Sequence, residues 1–150
     1  MNQHPYLRAY MAGIAFPTAF LLMIWLTGYC IARFAFKISA PIEQLLVFPM
    51  AVVPNVFGAW NMLFLKLHQR WRVPIGLHGA ALPLFLGPIG AVFVISMGFL
   101  TVTERGLIYF GIFRIPYWYL FIAPFVIIAV YYLIWKYIVG SLNKLLGIAY

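Results

Sequence analysis

The sequence predicts an all-α integral membrane protein, a four-helix transmembrane bundle with a short interfacial segment at its carboxyl end. Three observations predict this class. Hydrophobic residues make up 66% of the 150 residues and charged residues only 8%, whereas soluble proteins carry roughly 25% charged residues. The mean hydropathy is +1.01. The apolar residues also form four long runs separated by charged breaks, so we expect residues 1–150 to form a single transmembrane domain.

Each apolar run is long enough to cross about 30 Å of hydrocarbon as a helix. Helices are expected because backbone groups in lipid must be satisfied within the segment, and the alternating pattern of a membrane barrel is absent. The predicted helices span approximately residues 9–32, 43–65, 79–103 and 117–137. The charged breaks span residues 33–41, 66–74 and 104–116. Each break ends in a proline, which suits the start of the next helix.

The distribution of basic residues predicts the topology. With the amino terminus inside, the inner side holds Arg8, Lys66, Arg70, Arg72, Lys136 and Lys144. The outer side then holds Arg33, Lys37, Arg105 and Arg114. Because cytoplasmic segments are enriched in Lys and Arg, we expect both termini to be cytoplasmic. The formal charge of +8 then indicates contact with anionic lipid headgroups and not with nucleic acid.

The fourth predicted helix has the aromatic pattern of a membrane span. Trp118 and Trp135 are 17 residues apart, about 26 Å along a helix. This spacing predicts two belts at the membrane interfaces. The third predicted helix is instead rich in small residues, which let helices approach closely. We therefore expect it at the packed centre, with Gly79, Gly87, Gly90 and Gly98 among its contact residues.

The carboxyl-terminal residues 140–150 have the pattern of an amphipathic helix. Leu142, Leu145, Leu146 and Ala149 recur at helical spacing, with Asn143 and Lys144 between them. Such a pattern predicts a segment that lies on the inner interface with its leucines towards the membrane.

Polar residues inside the second predicted helix are candidates for a binding cavity. Asn55, Trp60 and Asn61 lie within its apolar run, and they are candidates for lining a polar cavity for a headgroup, a quinone or a small solute. Asn55 and Asn61 are about 120° apart on a regular helix. The alternative is structural, in which each amide bonds to a neighbouring helix or to a carbonyl freed by a proline.

The stretch from residue 66 to residue 78 is the candidate for recognition of lipid or phosphate. Its hydrogen-bond donors are Lys66, His68, Arg70, Arg72 and His78. They suit a lipid phosphate or pyrophosphate, or they anchor the chain on anionic lipid. His68 and His78 also flank one break, as a bis-His haem site requires. No Cys, Asp or Glu lies nearby in the sequence to complete a zinc site.

Reactive side chains are scarce. Glu43 and Glu104 are the only acidic residues, and Cys30 is the only cysteine, so an intrachain disulfide is excluded. We expect Glu43 to favour a helix start and to pair with Lys37, and Glu104 to pair with Arg105. Neither a dinucleotide-binding fingerprint nor a Walker loop is present. We predict no catalytic residue, no metal site and no resident cofactor.

These observations predict a small non-catalytic transmembrane subunit that packs within a larger membrane assembly or associates with itself. Its expected partners are membrane lipids and other membrane subunits. One alternative is a lipid-handling enzyme or carrier that uses the basic residues between 66 and 78. A second alternative is a protein that binds haem or quinone.

Overall fold

The computed structural model describes residues 4–35, 37, 42–109, 111 and 113–148, with side chains throughout these ranges except at 25, 32 and 42–49. The chain is mostly helical, at 79%. The α-helices are α1 (Pro5–Cys30), α2 (Ile42–Trp71), α3 (Ile75–Ser96), α4 (Trp118–Leu133) and α5 (Gly140–Leu145). A π-helical turn, Ile31–Ala35, continues α1, and another, Ile134–Val139, joins α4 to α5.

Four helical stretches of the described chain are long and apolar enough to cross a membrane, which confirms the predicted number of long apolar helices. They span Pro5–Ala35, Met50–Trp71, Ile75–Ser96 and Trp118–Leu145. The predicted break from residue 66 to residue 74 is wrong, because Lys66–Trp71 belongs to α2 and only residues 72–74 connect it to α3. Lys, Gln and Arg are good helix formers, so their charge and polarity do not end the helix.

Between α3 and α4 the described chain forms a three-stranded antiparallel sheet. Its strands are β1 (Leu100–Thr103), β2 (Gly106–Tyr109) and β3 (Phe113–Ile115), paired in the order β1-β2-β3. The predicted all-α class is therefore wrong in this region, and so is the predicted continuation of the third helix to residue 103. Strands β2 and β3 lie within the predicted break, whereas β1 directly continues the apolar run of α3, so hydropathy alone does not separate β1 from the helix.

Gly98 ends α3. Its φ is +72°, a left-handed conformation that glycine adopts without steric cost. The Gly98 N–H donates to the carbonyl of Ile95, and the Phe99 N–H donates to that of Val94, each at 3.0 Å. These two bonds form a Schellman motif, which closes the helix. The prediction that Gly98 packs inside a longer third helix is wrong for this reason.

The chain divides into two compact units. The first unit consists of residues 1–75 and 136–150, and the second consists of residues 76–135.

In the first unit, α1 and α2 pack against each other through glycine. A Cβ atom on Gly13 would lie 2.6 Å from the Phe57 carbonyl oxygen and 2.8 Å from the Gly58 Cα. A Cβ atom on Gly58 would lie 2.6 Å from the ring of Tyr10. The two backbones are therefore in near contact, the arrangement that small residues permit between helices in lipid.

The carboxyl-terminal part of the first unit is packed into its core. A Schellman motif at Gly147, whose φ is +68°, ends α5. Ile148 follows and is buried in a cluster with Ala9 and Leu65. Asn143 is fully buried, whereas Leu145 is 81% exposed. The placement of the leucines towards the membrane stays a prediction, whereas Asn143 is buried because its amide has partners inside the unit. Ala149 lies outside the described residues.

In the second unit, the start of α3 packs against aromatic rings. A Cβ atom on Gly79 would lie 1.9 Å from the Trp135 Cγ, and one on Gly76 would lie 2.7 Å from the Tyr132 ring. Trp135 is completely buried, so the prediction that it marks a belt at the membrane surface is wrong. Trp118 is 56% exposed, as a belt residue should be. Glycine leaves the space that the indole of Trp135 fills.

Replacing Gly13 by Leu should disrupt the α1–α2 contact. The new side chain meets backbone atoms, which cannot rotate away, so we expect a loss of at least about 1–3 kcal/mol, the range for overpacked cores. The measurement is thermal unfolding in mild detergent followed by circular dichroism. The matched control is Gly28→Leu in the same helix, where nothing lies within 4 Å of the added Cβ. Equal unfolding temperatures for the two variants would contradict the close contact.

Gly79→Ala should lower the stability of the second unit, since even one methyl group collides with the Trp135 side chain. Gly90→Ala is the control in the same helix, because a Cβ there has open space and alanine favours the helix by about 1 kcal/mol over glycine. Quenching of tryptophan fluorescence reports the packing of Trp135 when the other four tryptophans are replaced by phenylalanine in the parent chain and in both variants. We expect the quencher to reach Trp135 more easily in the Gly79 variant, and no more easily than in the parent chain in the Gly90 variant. The opposite order would refute this packing.

Candidate functional site

The best-defined polar centre of the chain is a pair of buried amides in the first unit. Asn61 on α2 and Asn143 on α5 are both fully buried. The Asn61 Nδ2 donates to the Asn143 Oδ1 at 2.7 Å, and the Asn143 Nδ2 donates back to the Asn61 Oδ1 at 3.1 Å. The Asn61 Nδ2 also donates to the Ala9 carbonyl oxygen of α1 at 2.7 Å. The pair, which we call the amide joint, connects three helices.

Local sequence explains how the amide joint forms. Ala9 has only a methyl side chain and is fully buried, so neighbouring helices can reach its carbonyl oxygen. An asparagine amide has two N–H donors, and Asn61 directs them to Ala9 and Asn143. A buried amide without such partners costs about 1–3 kcal/mol. The amide joint therefore satisfies the polar atoms that these helices bury.

Asn55 makes a separate connection. Its Oδ1 accepts a hydrogen bond from the hydroxyl of Tyr10 on α1, and its Nδ2 donates to the Ala51 carbonyl oxygen in its own helix. Asn55 is exposed and Trp60 is half-buried. Both asparagines of α2 therefore bond to α1, Asn55 through the Tyr10 hydroxyl and Asn61 through the Ala9 carbonyl oxygen, and Asn61 bonds to α5 as well. Their bonds within the chain are those of the structural alternative, and a ligand cavity lined by Asn55, Trp60 and Asn61 stays a prediction.

The end of α2 carries most of the predicted phosphate-binding residues. Lys66, Arg70 and Arg72 are exposed there. The His68 Nδ1 lies 3.0 Å from the Val73 carbonyl oxygen. Because a carbonyl only accepts, the Nδ1 must carry the hydrogen. The His68 ring also lies 5.2 Å from the ring of Phe64.

These contacts give His68 a part in closing the end of α2. The Arg72 N–H donates to the His68 carbonyl oxygen at 2.9 Å, and Arg72 adopts a left-handed conformation with φ of 50°. The His68 ring and backbone therefore both bond to the residues that follow the helix.

His78 belongs to the second unit. It is buried, and its ring meets that of Trp135 edge to face, with 5.9 Å between the ring centroids. His78, one of the predicted lipid- or phosphate-binding residues, is therefore packed inside the second unit, because the start of α3 packs against Trp135. Among the described residues, no group of three or more His, Cys, Asp or Glu side chains is placed to hold a metal ion.

The two acidic residues take no part in these arrangements. Glu104 is exposed in the turn between β1 and β2, next to Arg105. The side chain of Glu43, and with it the expected pairing with Lys37, lies outside the described residues.

A small cleft lies where α1 begins and α2 ends. Its volume is about 170 Å³, and its wall includes Pro5, Tyr6, Arg8, Leu65, Gln69 and Gly147. The Arg8 Nη1 donates to the Leu146 carbonyl oxygen at 3.3 Å. Sequence reasoning placed Arg8 on the same side as the basic end of α2 but missed Gln69 and the cleft. The sequence did contain a signal for the cleft. Two consecutive membrane spans run antiparallel, which brings residue 8 beside the last turns of α2.

Comparison of the chain with protein-family models, curated proteins and solved structures finds no match.

A double-mutant cycle should detect the amide joint. Asn61→Leu leaves the Asn143 amide buried without its partner, and Asn143→Leu does the reverse, so each should destabilise the first unit by about 1–3 kcal/mol. The double variant removes both amides and should cost less than the sum of the two. Asn55→Leu is the control for loss of an exposed amide and should cost less than either single variant. Unfolding in detergent measures all four; strict additivity would rule out the coupling.

Proposed function

We propose that this chain is a small non-catalytic transmembrane subunit that packs within a larger membrane assembly. The observation that carries the proposal is that the polar side chains within its helices form hydrogen bonds to other parts of the same chain. Asn61 and Asn143 bond to each other, Asn61 also bonds to the Ala9 carbonyl oxygen, and Asn55 bonds to Tyr10 and to the Ala51 carbonyl oxygen. Asn55 and Asn61 are sequence candidates for a cavity, and their bonds within the chain support a role in holding helices together.

The exposed apolar surface supports the same proposal. Within the described residues of α4, none is buried, and Phe121 and Phe125 are each 75% exposed. In α3, a Cβ atom on Gly87 or Gly90 would meet nothing within 4 Å. Small residues and large aromatic rings on adjacent spans are the contact residues that helices in lipid use for close packing. A partner helix therefore has a suitable surface on the second unit.

The proposal includes the arrangement in the membrane. The four long helices cross the membrane, and both termini face the cytoplasm. The basic residues at the end of α2 then lie on the inner side, where each basic residue near anionic lipid contributes about 1 kcal/mol of attraction. This arrangement follows the distribution of Lys and Arg.

Mild extraction of the tagged chain from its native membrane, followed by mass spectrometry and particle sizing, tests the proposal. We expect stoichiometric protein partners and a particle larger than the chain with its detergent. An unrelated tagged protein with four spans, extracted in the same way, is the control for carry-over. A chain that emerges alone, with one class of anionic lipid, would refute the subunit proposal in favour of lipid handling. A visible haem spectrum would refute it in favour of the haem alternative.

A further inference from the structure

We propose that two copies of this chain pair side by side in the membrane through Asn55, with the Asn55 amides of the two copies bonded to each other. This pairing rests on the proposed placement of the long helices across the membrane. It adds the identity of one partner, a second copy, and the residue through which that partner is held. The contact belongs entirely to the first unit.

Asn55 is a polar residue exposed in the middle of a long apolar run. It lies 12 residues after Glu43 and 11 before Lys66, and no charged residue lies between those two. The distance to either of them is about 16–18 Å along a helix. Its side chain is exposed, and at this depth a membrane offers hydrocarbon, which neither donates nor accepts hydrogen bonds. Bonding capacity that Asn55 does not use within the chain is therefore costly unless another protein surface uses it.

The Asn55 amide has one donor and one acceptor position to spare. An asparagine amide carries two N–H donors and an oxygen with two lone pairs. The Asn55 Nδ2 donates to the Ala51 carbonyl oxygen, and the Oδ1 accepts from the Tyr10 hydroxyl. These are its bonds within the part of the chain that the structure describes. One N–H and one lone pair remain, which is what each member of a reciprocal amide pair uses.

A second copy presents the matching group at the matching depth. Two copies inserted in the same direction place their Asn55 residues at the same level of the bilayer, so the amides meet without a shift of either helix. A two-fold axis along the membrane normal then makes the two bonds equivalent. The amide joint is such a reciprocal pair within the chain, where Asn61 and Asn143 donate to each other at 2.7 and 3.1 Å. A different partner would need a donor and an acceptor of its own at this depth.

The surface around Asn55 allows close approach. Ala51 and Ala59 lie one helical turn before and one turn after it, and both are exposed. Their methyl side chains leave room for the backbone of another helix, as small residues do at contacts between membrane helices. An asparagine side chain is short, so two of them reach each other only where their helices approach closely. The alanines therefore permit the bond that Asn55 provides.

Cross-linking of chains with a single cysteine, in vesicles of phosphatidylcholine, tests the contact while the amide is intact. In a Cys30→Ser background, Ala59→Cys places a thiol one turn from the amide. Met11→Cys is the matched control, because Met11 is exposed on α1 at a similar depth, where Gly13 meets Gly58. We expect oxidation to yield several-fold more disulfide-linked dimer from Ala59→Cys than from Met11→Cys. Equal yields from the two chains would overturn the pairing.

Energy transfer between labelled copies in the same vesicles measures the contribution of the amide. Asn55→Leu should weaken association by about fivefold to tenfold, the effect of losing two hydrogen bonds between membrane helices. Asn55→Gln keeps an amide and should weaken association less. Thr18→Leu is the control, since Thr18 is also exposed and its hydroxyl donates to the Ile14 carbonyl oxygen of its own helix. Association unchanged by Asn55→Leu, or weakened equally by Thr18→Leu, would overturn the role of Asn55.

The number of copies in each extracted particle separates this pairing from the proposed function. Native mass spectrometry of the assembly from its own membrane gives that number. Two copies beside other protein partners would support both proposals. One copy beside other partners would overturn the pairing and leave the subunit proposal standing. Two copies without any other protein would support the pairing and refute the larger assembly.

Discussion

The hydrogen-bonded amides of Asn61 and Asn143 set the arrangement on which the first unit depends. The two residues are 82 positions apart in the sequence, and their bond holds the carboxyl-terminal helix against α1 and α2. A buried amide has no water to bond to, so each of the two groups needs the other as its partner. Hydrogen bonds between membrane helices contribute only about 0.6 kcal/mol on average. The larger consequence is specificity, because a shift of either helix would leave buried amides unsatisfied.

Glycine allows close packing within each unit, and it does so in two ways. Gly13 and Gly58 allow two backbones to meet, which places Ala9 of α1 within reach of Asn61 on α2. Gly79 instead allows a backbone to meet the indole of Trp135. Gly87 and Gly90 have the same side chain but open surroundings. Glycine content therefore identifies helices able to pack closely, and only a structure identifies which glycines do so.

The sequence predicts the elements of this fold better than their ends or their contacts. Four long apolar helices follow from hydropathy because a helix that crosses a membrane has to match the thickness of its hydrocarbon core. Strand β1 does not follow, since Leu100–Thr103 continues the apolar run of the helix before it. The usable signal is local, a glycine at position 98 followed by β-branched residues. The burial of Asn143 and Trp135 depends on partners far away in the sequence, and no local pattern contains that information.

The same reasoning separates structural polar residues from candidates for ligand binding. A polar residue within an apolar run is a candidate for a ligand-binding site. In lipid it is also the residue with the greatest need for a hydrogen-bond partner inside the protein. Asn61 meets that need fully, with bonds to two other helices. Lys66 and Arg70 are exposed at the end of a long apolar helix. A ligand can bind to them without breaking hydrogen bonds inside the core. Recognition of an anion is therefore expected at the ends of these helices, while the polar groups between the ends hold the helices in register.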